Sequence, residues 1–508
     1  MSGAGAESLL PVAVTLLVAL LSRNVTAGLF TGVFVGVLML SGTDPLNAAA
    51  TLVADHLVPQ ITDSYNAGVL VLLAFIGGFV ALMERSGGGQ AFAQRMRNWL
   101  TSRARLQVAA WLGGITIFFS DLGTPLIVGP VFRPLADALR VSRQKLAYIV
   151  DSTASPVAIL VPFIGWGVYI MSLLAQQFET LGLTESDYQA FLRALPFQFY
   201  AWLAVLMVPL LALLGLDYGA MARAERAVGE VPPSLGNAAP GLEPGTAVDG
   251  QARYVFLPLL MLAVVLGVLL VPLGFPLHQV SGGVFRAGLS VAYLAAAVTL
   301  MVLMRLGSRR SFLASLDEYL GGMSRMMPVA VMLVLAWALS DVGQSLGAGE
   351  YIAAVAAAGV PGPLLPLAAF LVAALISFAT GSSWGTFAIV LPLALPAAVA
   401  TGAPLYVVIG AVLSGGLFGD HSSPISETTI LSATGAGSEQ YAHFRTQLPY
   451  ALTNGGLAAA GFVVAGMMPA AWTLGGVLLA QAGLLFMVRR YTRRGSRGAF
   501  AREDGQIS

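Results

Sequence analysis

Two apolar stretches of the chain are each interrupted by an acidic residue, hydroxyl residues and a proline. The interruptions read D-S-T-A-S-P at 151–156 and G-D-H-S-S-P at 419–424. Proline removes a helical hydrogen bond and clashes with the preceding turn, so each stretch is predicted to be a broken helix. Carboxylate, hydroxyl and free carbonyl oxygens suit a hard cation such as Na⁺. A buried carboxylate can also hold a proton.

Two further polar turns lie upstream of these breaks, at 120–124 (S-D-L-G-T) and 381–386 (G-S-S-W-G-T). They carry the same kinds of oxygen. Capping of a kink is the structural alternative, although a charge at the bilayer centre costs about 3 kcal/mol even on the mildest scale. We therefore predict Na⁺ at Asp151 and Asp420. The predicted ion- or proton-binding residues are Asp121, Asp151, Asp420, Thr124, Thr153, Ser155, Ser382, Ser383, Thr386, Ser422 and Ser423.

A second group of residues near these turns could line a substrate cavity. For Trp166 and Trp384, packing is the alternative interpretation. Histidine ordinarily titrates near neutrality, so His421 could tune the site, or it could be a buried hydrogen-bond partner that holds the break. Glu427 follows one helical turn after Ser423, and Arg133 could meet a substrate carboxylate.

The composition indicates that much of this chain lies in a lipid bilayer. Of its 508 residues, 57% are hydrophobic and only 10% are charged, and the mean hydropathy is +0.80. A soluble protein of this size could not bury so much apolar surface. The formal net charge of +1 gives no signal for binding nucleic acid. The absence of Cys excludes disulfides and thiolate metal sites, and no H-E-x-x-H zinc motif occurs.

The apolar runs predict an all-α polytopic membrane protein with about 11 membrane crossings. Basic residues concentrate at 84–106, 217–253, 306–325 and the C-terminus, which we assign to the cytoplasmic side. The predicted units are N-terminal helices at 1–66, a first repeat at 67–216, a cytoplasmic linker at 217–253, connecting helices at 254–305, a second repeat at 326–468, and a last helix with a basic tail at 469–508.

The two repeats share short matches in the same order. G-T-P-L-I-V-G-P-V-F-R-P at 123–134 aligns with G-T-F-A-I-V-L-P-L-A-L-P at 385–396. Each repeat is predicted to contain a re-entrant hairpin (107–139 and 364–400) followed by a broken transmembrane helix (146–177 and 405–434). The basic residues place the first hairpin entrance on the cytoplasmic side and the second outside. The prediction is therefore an inverted-topology repeat, as in secondary transporters.

Several longer motifs resemble the NhaC-type Na⁺/H⁺ antiporter family. They are F-G-D-H-S-S-P-I-S-E-T-T-I-L-S-A-T-G-A-G at 418–437, T-Q-L-P-Y-A-L-T at 446–453, A-T-G-S-S-W-G-T-F at 379–387, R-P-L-A-D at 133–137 and S-R-Q-K-L-A-Y-I-V-D-S-T-A-S-P-V at 142–157. The resemblance covers roughly 70–460. It implies two hairpins, two broken helices, an elevator-like motion and a scaffold that often forms a homodimer.

The resemblance favours Asp121, Asp151 and Asp420 as ion-site residues. The first hairpin departs from the commoner D-D-x-x-N form, because S-D-L-G-T stands at 120–124. One acid and one amide are therefore absent, which bears on stoichiometry and on whether the substrate is only an ion.

The expected function is secondary transport across the cytoplasmic membrane, with Na⁺ exchanged for H⁺. The alternative is Na⁺- or H⁺-coupled transport of a small organic acid or amino acid. An intramembrane aspartyl protease is disfavoured because Leu417 replaces the first Gly of G-x-G-D. We expect no cofactor. The expected partners are the lipid bilayer, Na⁺, H⁺ and a second copy of the chain, with no nucleic acid.

Overall fold

The computed structural model of this chain describes residues 5–22, 24–42, 44–88, 91, 101–230, 251, 253–274 and 282–503. Most of the predicted 217–253 linker, part of the basic 84–106 segment and the last five residues lie outside this part of the chain. Within it, every regular element is a helix and no strand occurs. The prediction of an all-α fold is confirmed.

The helices of the first half follow in chain order. They are α1 Leu10–Ser22, α2 Val25–Ser41, α3 Pro45–Thr51, α4 Val58–Thr62, α5 Ser64–Arg85, α6 Arg103–Thr116, α7 Gly123–Ala138, α8 Arg143–Asp151, α9 Ser155–Ala158, α10 Gly165–Thr180, α11 Asp187–Ala194, α12 Phe199–Leu214 and α13 Gly219–Glu230.

The helices of the second half complete the chain. They are α14 Arg253–Leu270, α15 Gly282–Gly307, α16 Phe312–Arg325, α17 Met327–Ser345, α18 Ala348–Gly359, α19 Leu365–Thr380, α20 Ser383–Thr401, α21 Leu405–His421, α22 Glu427–Ala436, α23 Gln440–Met467 and α24 Trp472–Glu503.

The lengths and apolar composition of these helices fit a bilayer. In the described residues, eight helices are long and apolar enough to cross a membrane, or ten if each of two bent pairs forms one span. The chain is therefore a multi-pass membrane protein. The predicted total of about 11 crossings and the re-entrance of the hairpins stay predictions.

The first repeat folds as a helical hairpin followed by an interrupted helix. α6 and α7 pack together and are joined by irregular backbone at 117–122. α8 ends at Asp151, three residues separate it from the single turn of α9, and α10 begins only at Gly165. Ser142 caps α8 by accepting a hydrogen bond from the backbone N–H of Lys145. The Pro-containing sequence thus breaks the helix where the sequence predicts it.

The second repeat has the same order of elements. α19 and α20 form the hairpin, and its tip is tight because Gly381 adopts a left-handed conformation with φ +66°. A side chain at this position would also meet the carbonyl oxygen of Ile425 at 2.9 Å. α21 ends at His421, and α22 begins at Glu427 after irregular backbone. Both breaks therefore lie against a hairpin.

The two repeats interlock through a close helix crossing. α7 of the first repeat packs on α22 of the second, and α22 also packs on α8. At the crossing, a Cβ on Gly435 would lie 2.2 Å from the Pro125 carbonyl oxygen, and one on Gly129 would lie 2.5 Å from the Gly435 carbonyl carbon. Only glycine permits this approach, so the two residues set the distance between the repeats.

The helix that carries Asp151 is anchored at its other end by the ion pair of a buried lysine with a partly buried aspartate. The Nζ atom of Lys145 lies 2.6 Å from Oδ1 of Asp217, and the lysine side chain is 1% exposed. The Tyr450 hydroxyl donates to the same carboxylate oxygen at 2.7 Å. The ammonium group also lies 5.1 Å from the centre of the Tyr450 ring. This cluster joins α8, α23 and the segment before α13.

Substitution of Gly435 by Ala should force α7 and α22 apart. We expect it to lower stability by about 1–3 kcal/mol through overpacking and to reduce transport. The matched control is Gly456→Ala on α23, where a Cβ meets nothing within 4 Å. Thermal unfolding of the purified variants measures the loss of stability, and ion flux in proteoliposomes measures the loss of transport. Equal behaviour of the two variants would contradict the role of the crossing.

Removal of the Lys145 ammonium group should leave the Asp217 carboxylate without its buried partner. We expect Lys145→Met to destabilise the protein by about 3–5 kcal/mol. Arg143→Ala serves as the control, because Arg143 and Asp137 form a pair that is largely exposed and should contribute about 0–1 kcal/mol. The comparison is made by thermal unfolding in detergent. A Lys145→Met variant as stable as Arg143→Ala would refute the anchoring role.

Candidate ion-binding site

The Asp151 carboxylate lies where α8 ends at the first break and has no exposed surface. From α22, the Thr429 hydroxyl donates to Oδ2 at 3.5 Å and the Ser432 hydroxyl donates to Oδ1 at 3.3 Å. From α23, Nε2 of His443 lies 3.3 Å from Oδ2, and the Gln447 amide donates to Oδ2 at 2.6 Å. The carboxylate of the first repeat is therefore enclosed by side chains of the second.

His421 holds the second break by hydrogen bonds in addition to lying near Asp151. Its Nδ1 atom lies 2.8 Å from the Tyr200 hydroxyl, and its Nε2 atom lies 3.7 Å from Oδ2 of Asp151. Its backbone carbonyl accepts a hydrogen bond from Gln447 at 2.6 Å. The structure thus places His421 as a buried hydrogen-bond partner next to the ion-site candidates.

Asp420 lies in the last turn of α21 and is 5% exposed. The hydroxyls of Ser426 and Ser383 are among its side-chain neighbours, and its charge interacts with those of Asp151 and Asp121. The next residue, His421, has its Nε2 atom 3.7 Å from Oδ2 of Asp151, so the two breaks lie close together although they are far apart in the chain. The first hairpin tip and both breaks contribute one carboxylate each.

Aromatic side chains border the site at the two hairpin tips. The indole N–H of Trp166 donates to Oδ2 of Asp121 at 2.9 Å. The ring centres of Trp166 and Trp384 lie 5.1 Å apart, and the Tyr169 hydroxyl donates to the Trp384 carbonyl at 2.7 Å. Glu427 is exposed at the start of α22 and interacts electrostatically with Asp121. The two tryptophans therefore combine packing with a direct contact to a candidate carboxylate.

The predicted hydroxyl ligands have a structural role that the sequence does not show. Six of them donate hydrogen bonds to backbone carbonyls, namely Thr124, Thr153, Ser383, Thr386, Ser422 and Ser423. Ser382 caps α20 by accepting from the Gly385 N–H at 3.3 Å. The hydroxyl of Ser155 is buried, and it has no partner among the described residues. A hydroxyl that donates to a carbonyl keeps its lone pairs, so these oxygens can still face a cation.

Arg133 is not at the hairpin tip. It lies ten residues after Gly123 on α7, which is about 15 Å along a helix. Its guanidinium lies beside Gly437, just after α22, where a glycine Cβ would meet Cζ of Arg133 at 2.5 Å. Arg133 therefore packs at the far end of α22, away from Asp121 and the two breaks.

Four residues of the site were not among the sequence candidates: Thr429, Ser432, His443 and Gln447. The signal for two of them is a polar stripe on α23, where His443, Gln447, Tyr450 and Asn454 recur at the spacing of one helix face. These four residues of α23 are buried. The apolar run of this span begins near 448, so a reading of hydropathy alone excludes the first turns of the helix.

The helix ends add a fixed electrostatic contribution to the site. α8 and α21 both end at the breaks, at Asp151 and His421. The C-terminal end of a helix carries a partial negative charge, and each of its last carbonyl oxygens has two lone pairs, so that one can face a cation while the other accepts a hydrogen bond. Broken helices of transporters coordinate cations with such ends. The arrangement can therefore bind a small cation through carboxylate, hydroxyl and carbonyl oxygens.

Comparison with known proteins identifies the family to which this chain is similar. The profile of the Na⁺/H⁺ antiporter family matches residues 2–165 and 157–467. An uncharacterized protein of Haemophilus influenzae is 31% identical over 476 residues, which is 90% of each chain. The malate-2H⁺/Na⁺-lactate antiporter of Bacillus subtilis is 35% identical over 102 residues, covering 20% of this chain and 22% of that protein.

A solved structure shares the fold. The YdaH transporter of Alcanivorax borkumensis superposes with a TM-score of 0.53 at 16% identity, over 84% of this chain and 89% of that one. The family profile covers most of the chain, including both hairpins and both breaks. This protein belongs to the Na⁺/H⁺ antiporter family and is a multi-pass transporter of the cell membrane, not an enzyme.

Proposed function

We propose that this transporter exchanges Na⁺ for H⁺ and that its buried aspartates bind the two ions in competition. The observation that carries the proposal is the closeness of the two breaks, where Nε2 of His421, the residue after Asp420, lies 3.7 Å from Oδ2 of Asp151, and where Asp121 interacts electrostatically with Asp420. Among the described residues, no lysine or arginine forms an ion pair with any of the three, and only His421 and His443 approach Asp151 as basic groups.

Several carboxylates in a water-poor site cannot all remain charged and unpaired, because each loses its hydration and repels the others. A cation or a proton must offset this cost. The Ser383 and Ser426 hydroxyls beside Asp420, together with the second lone pairs of the last carbonyl oxygens of α21, supply the oxygens that Na⁺ requires. Asp420 is therefore the ligand around which we place the cation.

Exchange follows from the competition for these oxygens. Na⁺ bound at Asp420 disfavours protonation of the same carboxylate, and protonation removes the charge that holds Na⁺. If each loaded form can face either side of the membrane, one ion leaves as the other arrives. The proposal includes operation as a homodimer, which the family resemblance implies.

Replacement of Asp420 by Asn should abolish Na⁺-dependent proton movement in proteoliposomes, because the amide removes both the charge and the proton acceptor. In the wild type, the apparent KM for Na⁺ should rise as the pH falls, by about tenfold per unit where one proton competes. Na⁺ should also raise the unfolding temperature of the wild type but not of the variant.

The control for this experiment is Asp137→Asn, which removes an acid that is largely exposed and paired with Arg143. This variant should exchange Na⁺ for H⁺ as the wild type does. Unchanged exchange in a folded Asp420→Asn variant would contradict the assignment of the site. A wild type that moves no protons in response to Na⁺ would contradict the function itself.

The second candidate function is coupled transport of an amino acid. It is favoured by the aromatic surroundings of Asp121, where Trp166 donates to the carboxylate and Trp384 lies against Trp166. Aromatic faces next to a carboxylate suit an ammonium group. Arg133 packs away from this place, so the described residues offer less to a substrate that bears only carboxylates.

A thermal-shift screen of amino acids and organic acids, each with and without Na⁺, separates the two functions. A ligand present at 100 times its Kd stabilises the folded protein by about 2.7 kcal/mol. The second candidate predicts that an amino acid gives such a shift and that Trp166→Phe, which removes the indole N–H, reduces it. Stabilisation by Na⁺ alone, with no organic ligand, favours ion exchange.

A further inference from the structure

One face of α23 carries two buried polar side chains toward the breaks. His443 and Gln447 are four residues apart and therefore lie on the same side of the helix. Their exposed fractions are 0% and 1%. α23 packs against both α8 and α21, the half-helices that end at the two breaks. It is thus an element of the second repeat that contacts the broken helix of each repeat.

The Gln447 amide nitrogen contacts both helix ends at once. Nε2 lies 2.6 Å from Oδ2 of Asp151, the last residue of α8. The same nitrogen lies 2.6 Å from the carbonyl oxygen of His421, the last residue of α21. A glutamine NH₂ group has two hydrogens, so both are used, one for each repeat.

The orientation of the amide is fixed by these acceptors. A carboxylate oxygen and a backbone carbonyl oxygen both need a donor, so the NH₂ group and not Oε1 must face them. Oε1 of Gln447 is buried and has no partner among the described residues. An unpaired buried acceptor costs free energy. The side chain keeps this orientation because it satisfies one acceptor of each broken helix.

We infer that Gln447 is the positioning residue that couples the two broken helices, so that Asp151 and the Asp420 site keep a fixed relation during exchange. The inference rests on the proposed Na⁺/H⁺ exchange. His421 directly follows Asp420 in the chain. A ligand that displaces the end of α21 therefore also displaces the Gln447 amide and, through its second hydrogen bond, Asp151. The two hydrogen bonds of Gln447, to Asp151 and to the His421 carbonyl, form a bridge. This bridge connects the end of the helix that carries Asp420 with the Asp151 carboxylate of the other repeat.

A matched residue distinguishes this role from general packing. Gln481 on α24 is fully buried, and its Nε2 atom also donates twice, to the Leu203 carbonyl at 2.8 Å and to the Asn454 side chain at 2.9 Å. Its Oε1 atom is likewise buried without a partner in the described part of the chain. Gln481 therefore repeats the hydrogen bonding of Gln447 at a place that contacts neither break.

The experiment compares Gln447→Met with Gln481→Met, since methionine preserves the unbranched shape and removes the amide. Tracer Na⁺ flux and proton flux are measured in the same proteoliposomes to give the KM for Na⁺ and the number of protons moved per Na⁺. We expect Gln447→Met to raise the KM by about 10- to 100-fold and to lower the proton-to-Na⁺ ratio. Gln481→Met should lose stability to a similar degree and keep the wild-type KM and ratio.

Two further variants keep the inference testable if Gln447→Met does not fold. Gln447→Asn retains the amide on a chain one methylene shorter and should give an intermediate KM and ratio. The double variant Asp151→Asn/Gln447→Asn should be no worse than Asp151→Asn alone, because residues that act through one contact are not additive.

The outcomes separate the bridge from the function that it serves. A wild type with coupled exchange and a folded Gln447→Met or Gln447→Asn variant with unchanged KM and ratio overturn the bridge alone. Additive loss in the double variant, or equal transport changes in Gln481→Met, also overturns it. A wild type without Na⁺-dependent proton flux overturns the proposed function and the bridge together.

Discussion

The need to match every buried charge in a water-poor interior is the constraint on which this structure depends. In a bilayer an unmatched ion costs several kcal/mol, so acidic residues persist only where other groups compensate them. Asp151 is compensated by four donor residues of the opposite repeat, and Asp217 is compensated by Lys145 and Tyr450. Asp420 and Asp121 have hydroxyl and indole neighbours but no cationic side chain in the described residues. Asp217 is therefore matched within the fold, whereas Asp420 and Asp121 depend most on a transported ion to offset their charge.

Much of the fold follows from the sequence because its signals are local. Proline within an apolar run predicts a break, and Asp151 and Asp420 stand out as carboxylates where nearly all neighbours are apolar. The glycine of the second tip follows from the turn that it must make. Short sequence matches between the two repeats are enough to pair the two hairpins and the two breaks. These features need no knowledge of which helices touch.

The rest of the site depends on contacts between distant segments, which a linear pattern does not contain. Thr429 and Ser432 look like ordinary small residues of a helix until α22 packs on Asp151. Gln447 lies before the apolar part of its span, so hydropathy excludes it. Arg133 shows the converse, because a residue that is near the tip in sequence lies about 15 Å from it along α7. Spacing along a helix predicts which face a residue shares, but not what that face contacts.

The same contacts restrict how the site can change its access. The oxygens of the site come from several half-helices. These half-helices are joined by the Gly129–Gly435 crossing and by hydrogen bonds to Asp151. Separation of the half-helices from one another would therefore leave buried polar groups unpaired. Movement of the hairpins and broken helices as one body avoids this cost. Such movement must release the Ser120 hydroxyl from Glu84 of α5, a carboxylate that also pairs with Arg325. The interlocked repeats therefore favour a change of access in which the hairpins and the broken helices move together over a separation within the site.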